Sequence, residues 1–279
     1  HLKLLVEAGL ITRHREGSWA FFRLAQQHEG APLAQWLVAG LADEDPVLQA
    51  DRARLNAVRA ARTQAAQAYF AKHAQDWDRI RSLHVSEAQV AQAIHQSLGA
   101  ERVQSVLDLG TGTGQMLRLL APQAERLLGV DVNASMLAVA RAQLEAAGLH
   151  RIELRQGDLY ALPVERGRFD LVVLHQVLHF LDDPLRALRE AAQATAPHGR
   201  VLVVDFAPHD LEFLRETQAH RRLGFDQQQM GQWLQEAGLR VEHAHALPPP
   251  DQGQPQLTVT VWLARKMPAE DAASQTVSG

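Results

Sequence analysis

The stretch VLDLGTGTGQ, residues 106–115, decides the fold. Val106, Leu107 and Leu109 give it the apolar run of a buried strand, and the chain then enters Gly110, Gly112 and Gly114. Glycines at such a turn allow a sharp change of direction and let a ligand touch backbone. The third glycine comes one residue earlier than in the G-x-G-x-x-G loop of dinucleotide folds. Asp108, in front of the loop, argues against a nearby phosphate and favours a cationic or amine-bearing ligand. The sequence also lacks a GxxxxGKS/T loop, which removes the P-loop reading.

Further along, apolar strand-like runs recur at 127–131, 151–155, 169–175 and 200–206, with helical stretches between them. That spacing is of βαβ units around a sheet covered on both faces, an α/β Rossmann-like architecture. A helix over 227–237, a strand near 239–245 and a last strand at 257–263 complete it. Strand carboxyl ends are where such sheets bind ligands. Asp131 ends the second strand, 21 residues after Gly110, where a carboxylate can accept ribose hydroxyls. Asp158, after Gly157 and before Leu159, falls beside the same cleft and can accept from an adenine amine. His175 ends the fourth strand.

Ribose, adenine and a cationic end without phosphate describe S-adenosylmethionine. Here the chain resembles the class I S-adenosylmethionine-dependent methyltransferases, especially the ubiquinone/menaquinone C-methyltransferase group. The resemblance is carried by VLDLGTGTGQ, GVDVNASMLAVARAQ, GDLYALPVERGRFDLVV and LHQVLHFLDDPLRALREAAQATAPHGRVLVVDF, and with its flanks covers about residues 65–265. It implies S-adenosylmethionine as cofactor and S-adenosylhomocysteine as product. The amino-acid end is expected on Asp108 and the Gly110–Gly114 loop with Thr111 and Gln115, and ribose on Asp131. Adenine is expected near Val132, Met136, Gly157, Asp158 and Leu159.

The stretch YFAKHAQDWDRIRSLHVS, residues 69–86, resembles the N-terminal cover of these enzymes. Tyr69, Phe70 and Trp77 can face a sulfonium, and Arg81 can hold a carboxylate. Methyl transfer requires in-line positioning and, for some acceptors, a base. His175, His209 and His220 are the candidates for that role, with His175 also near the cofactor. Trp77, Arg81, His179, Arg221 and Arg222 are candidate acceptor contacts. No H-E-x-x-H or facial-triad spacing supports a metal.

The opening HLKLLVEAGLITRHREGSWAFFRLAQ predicts a short helix ending at Gly9 and a hairpin turning at Glu16–Gly17. It resembles the end of the reading helix and the wing of ArsR-type winged-helix repressors. That resemblance implies a partial DNA-binding domain over 1–45, with His1, Lys3, Arg13 and Arg15 placed toward DNA and Ser18 near the wing. Between the two parts, a helix before Pro46 and a long one after it read as a spacer or a dimerisation element over 46–98. The methyltransferase domain is expected over 99–267, and a disordered tail over 268–279.

Composition narrows the field. The 279 residues contain no cysteine, which excludes disulfides, thiolate zinc sites and cysteine nucleophiles. The formal charge of −4 gives no global field for nucleic acid, although residues 1–81 carry 11 basic against 9 acidic side chains. No apolar run has the length of a membrane span, and no signal peptide is visible, so a cytoplasmic protein is expected. Two function classes follow: a methyltransferase fused to a regulator domain, and a regulator that senses the cofactor or its product without catalysis. A homodimer, a small-molecule acceptor and DNA are the expected partners.

Overall fold

The computed structural model describes residues 1–16, 19–25, 28–42, 45–82, 86–99, 102–249 and 257–267. The expected tail, the hairpin turn at Gly17 and Ser18 lie outside these residues. Among the described residues there are two sheets: a two-stranded hairpin and a seven-stranded sheet.

The N-terminal part is α1 (Leu2–Glu7), then β1 (Ile11–Glu16) paired antiparallel with β2 (Trp19–Leu24). This is the expected helix and hairpin; the described residues do not make up a complete winged-helix fold. Next come α2 (Ala31–Ala39) and α3 (Pro46–His73), broken at Pro46 as the sequence predicts. Pro46 occupies the first helical position, where its missing N–H costs nothing, and Asp45 caps the helix by accepting from Val47 and Leu48. At 28 residues, α3 extends about 42 Å from the 1.5 Å rise per residue. None of its residues is buried. Short α4 (Trp77–Ser82) and α5 (Glu87–Leu98) lead to the sheet.

The sheet holds β3 (Val103–Leu109), β4 (Ala124–Asp131), β5 (Glu153–Gln156), β6 (Phe169–His175), β7 (Thr195–Phe206), β8 (Leu239–Leu247) and β9 (Val259–Lys266). Its order is β5-β4-β3-β6-β7-β9-β8; β3 to β7 are parallel, and β9 runs antiparallel to both neighbours. The helices α6 (Gln115–Leu120), α7 (Ala134–Ala146), α8 (Pro184–Ala194), α9 (Phe213–Thr217) and α10 (Gln227–Glu236) fill the connections. Alternation explains the two-sided burial. Leu171, Val173, Leu202 and Val204 face one core with α5 and α6, whereas Val172, Leu174, Val201 and Val203 face the other with α8 and α10.

Two strands begin earlier than the apolar pattern predicts. β4 starts at Ala124 because its first residues, with Glu125 and Arg126 exposed, still pair with β3 from Val103 onward. β7 starts at Thr195, which pairs with Phe169 before an irregularity; His198 lies within it at φ 61°. Hydropathy does not register either segment. The strand order reverses beside β3, with β4 on one side and β6 on the other, which opens a crevice at their carboxyl ends.

Candidate active site

The crevice is a cavity of about 280 Å³ whose floor comes from β3, β4 and β6 and whose roof comes from α3 and α4. At the floor, the glycine loop turns with Gly110 at φ 71°, Gly112 at 53° and Gly114 at 82°. Gly110 is required twice over: a Cβ there would lie 2.4 Å from a Val177 methyl, in a backbone region that L side chains rarely adopt. A Cβ on Gly112 would come to 3.9 Å from Trp77 Nε1, so the loop presents bare backbone toward the roof.

Two carboxylates brace this loop. Asp131 accepts from the Gly112 N–H at 2.9 Å and the Asn133 N–H at 2.8 Å. Burial pushes its pKa up, against those backbone donors. Asp108 is buried behind the loop and accepts from the Thr111 hydroxyl at 2.7 Å. Burial raises its pKa to about 7, helped by Asp131 and opposed by Thr111 and Arg81. A cationic group arriving on the loop would therefore find a carboxyl poised to ionise.

The roof is tied down by polar bonds. Asn133 caps α7 through Ser135 and Met136 N–H groups and donates from Nδ2 to the Gln67 carbonyl of α3 at 2.9 Å. Asp78 accepts from Thr113 Oγ1 at 2.6 Å, Gln143 Nε2 at 3.1 Å and Arg81 Nη2 at 3.2 Å. Burial opposes its ionisation, yet Thr113, Arg81, Gln143 and Arg118 together hold it below the usual carboxylate range. Phe70, Trp77 and Phe180 meet edge to face or tilted, with centroids 4.8–6.1 Å apart, and close the apolar side.

The cavity brings together Gly110, Thr111, Gly112, Asp131, Val132, Met136, Asp158, Leu159 and His175 from the sequence reading, and also Trp77, Arg81 and Arg221. Several expected residues fall elsewhere. Gly114 caps α6, and Gln115 borders a smaller neighbouring hollow with His175 and Gln176. Gly157 lacks a side chain because a Cβ would meet Pro163 at 2.6 Å. Tyr69 turns away from this cavity into a second one of about 380 Å³, together with His220 and Arg222. Trp77 and Arg81, expected as acceptor contacts, line the first cavity. Arg81 is fixed there by Asp78 and by Glu87 at 2.9 Å.

The histidines separate by environment. His175 lines the cavity, and desolvation, with Arg81 and His179 nearby, lowers its pKa to about 3. It is neutral at physiological pH and can only accept or donate a hydrogen bond there. His179 is buried, with Nδ1 2.7 Å from Asp205, so its side chain serves the fold and lies outside both cavities. His209 also lines neither; its Nδ1 accepts from the Leu211 N–H at 3.3 Å, and desolvation lowers its pKa to about 4. His220 lines the second cavity, its ring 4.3 Å from that of His179.

Thr63, Ala66, Gln67, Gln176, Leu181 and Asp182 also line the first cavity and were not legible as site residues. Gln176 carries the structural mark of a site residue, φ 50° in a buried non-glycine residue. The α3 residues have no motif, and only the roof contact places them. Among the described residues no group of three or more His, Asp or Glu could hold a metal, and no helix is long and apolar enough to cross a membrane.

This sheet order, with a glycine loop after its central strand and carboxylates after the next strands, is the fold of the class I S-adenosylmethionine-dependent methyltransferases. Residues 107–203 match the methyltransferase domain family. The demethylmenaquinone methyltransferase of Thermus thermophilus is 41% identical over 106 residues, 37% of this chain and 47% of that one. The uncharacterized methyltransferase YcgJ of Bacillus subtilis is 32% identical over 106 residues, 38% of this chain and 42% of that one. The chain thus spans less than half the length of either relative in the matched region. The crystal structure of a SAM-dependent methyltransferase from Aquifex aeolicus shares the fold, with TM-score 0.54 over 68% of this chain and 98% of that one at 18% identity.

Proposed function

We propose that the protein transfers a methyl group from S-adenosylmethionine to a small molecule. The observation that carries this reading is the Asp131–Gly112 bond, which joins the acidic strand end to the backbone loop in one cradle. The residues fit the cofactor. Val132 leaves 42% of its surface exposed above buried Met136, an apolar shelf for a flat ring, and Asp158 beside it is exposed. Asp131 keeps lone pairs for ribose hydroxyls, and the bare Gly110–Gly112 backbone with ionisable Asp108 suits an amino-acid end. When bound, S-adenosylmethionine supplies an activated methyl whose carbon–sulfur bond breaks as the acceptor's lone pair bonds to carbon, the electron pair staying on sulfur.

The protein's own part is positioning and exclusion of water. Phe70, Trp77 and Phe180 seal the roof, and neutral His175 adds no cation beside a sulfonium. His220, in the adjoining cavity, is the candidate proton acceptor when the attacking atom bears a proton. Calorimetric titration with S-adenosylhomocysteine tests the reading: saturable one-to-one binding is expected, and absence of both heat and thermal shift would sink it.

A second reading concerns the N-terminal part. The helix and hairpin, with Lys3 and Arg13 exposed, support a DNA contact in the manner of a winged helix, and a cofactor-sensing regulator would use the same cradle. His1 begins the same helix end, and the side chain of Arg15 lies outside the described ones. Trp36 exposes 71% of its surface on α2, and Val47, Leu55 and Val58 are exposed on α3, which supports a homodimer through these helices. Gel retardation of the gene's own promoter and light scattering test the two points; a monomer that leaves the promoter free would remove both.

A further inference from the structure

We infer that the methyl acceptor is a small organic anion, seated by its carboxylate or phosphate in the arginine-lined cavity beside the cofactor cavity; this rests on the methyltransferase reading above. The second cavity is lined by Arg62 from α3 and by Arg215, Arg221 and Arg222 from the segment around α9, against the carboxylates of Asp182 and Glu216. Arg222 is 6% exposed, and the side chains of Arg215 and Arg221 are nearly as covered. Withdrawing guanidinium groups from water is costly unless anions or carbonyls face them.

Internal bonds hold these groups in place. Arg215 pairs with Glu212 at 3.2 Å and donates to the Arg221 carbonyl, Arg221 pairs with Asp182, and Arg222 donates to the Asp182 carbonyl at 3.4 Å. The backbone is fixed as well. The Arg221 and Arg222 N–H groups both donate to the His179 carbonyl, at 2.9 and 3.1 Å, and Asp205 anchors the His179 ring. Ala219, at φ 59°, makes the left-handed turn that brings His220 and the two arginines to the cavity. A guanidinium presents its donors in a planar fork, the geometry that matches a carboxylate or phosphate.

The two cavities are electrostatic opposites. Asp131, Asp158 and Asp182 line the first against Arg81 and Arg221, a bias suited to a cationic cofactor. Four arginines line the second. Ala66, Leu181, Asp182 and Arg221 belong to both, so the two cavities adjoin along these residues. An acceptor anchored by its anion therefore extends past Ala66 and Leu181 toward the cofactor, with Tyr69 and His220 along its flank.

The test is calorimetric titration of the full chain, first with S-adenosylhomocysteine and then, with that product bound, with benzoate, phenyl phosphate and benzamide. At least one anion should bind about tenfold more tightly than benzamide, the charge-assisted hydrogen bonds being lost in the neutral analogue. A preference for benzoate identifies a carboxylate acceptor, and one for phenyl phosphate a phosphorylated one. Arg222→Gln should weaken the anion about tenfold and leave S-adenosylhomocysteine binding in place. Because Arg222 is buried, Arg62→Gln on the exposed face of α3 provides the variant whose folding is not at risk, with the same direction of change. Benzamide binding as tightly as both anions, or no saturable binding of either anion to the product-bound protein, overturns the inference. Failure of S-adenosylhomocysteine to bind, with anion binding retained, would instead overturn the methyltransferase reading.

Discussion

The sheet domain and the N-terminal segment use apolar side chains in opposite ways. In the sheet, Leu107, Leu109, Leu171 and Leu174 are fully buried between helices on both faces. In the segment, α1 and α3 bury no residue, and Leu2, Leu4, Leu33 and Trp36 are exposed. The first region closes its own core and gives the glycine loop a packed base. The second has apolar surface that the described residues leave exposed, as an element that docks on another surface does. Contacts reach across at both ends: the Arg23 guanidinium of β2 lies 4.9 Å from the ring centroid of Trp233 on α10, and near the end of α3 the Asn133–Gln67 bond and the Phe70–Phe180 contact join the segment to the sheet domain. The site inherits this contrast, with a floor built on rigid strands and a roof that is the end of the long exposed helix.

If the floor sets affinity, Asp131→Ala should do the most damage. It removes the proposed ribose acceptor and the brace on Gly112 together, and S-adenosylhomocysteine binding should fall about 100-fold by calorimetry. Gly110→Ala comes next, forcing a methyl into Val177 at positive φ; stability should fall by about 1–3 kcal/mol in urea melts, and cofactor affinity with it. The roof should matter less. Asp78→Asn, which loosens α4 from Thr113 and Arg81, is expected to weaken the same ligand about fivefold in that titration. Smallest of all should be Arg23→Ala at the edge of the molecule, whose cation–π contact with Trp233 is worth about 0.5–1 kcal/mol in a thermal melt. A roof variant more harmful than Asp131→Ala would reverse the division between floor and roof.

The floor also makes a pH prediction. Asp108, raised to about 7, is partly protonated in the free protein near neutrality. A cationic ligand favours the ionised form, so binding lowers that pKa and releases protons, and the Asp108 contribution to affinity grows as pH rises through 7. Titrations at pH 7 in two buffers of different ionisation enthalpy should show release of about half a proton per ligand. Asp108→Asn should bind without that component; an unchanged release would place the proton elsewhere.

Legibility in the sequence follows the same division. The strands and the residues Gly110, Asp131, Asp158 and His175 could be read because strand ends and glycine turns tie residue type to position. Thr63, Ala66 and Gln67 could not, since nothing local distinguishes them from the rest of an alanine-rich helix; tertiary contacts such as the Asn133–Gln67 bond and Phe70 on Phe180 set their place. Tyr69 was expected at the cofactor because residues 69–86 resemble the N-terminal cover of these enzymes. On a helix, consecutive residues point about 100° apart, so Phe70 faces the cofactor cavity and Tyr69 its neighbour. His179 and His209 read as site histidines because hydropathy does not reveal a buried partner such as Asp205.

The most direct test is a crystal structure of the full chain with S-adenosylhomocysteine. The ribose hydroxyls should lie on the Asp131 carboxylate, the adenine over Val132 and Met136 with its amine toward Asp158, and the amino-acid end on the Gly110–Gly112 backbone. Product bound outside this cavity, or inside it with Asp131 untouched, would contradict the account.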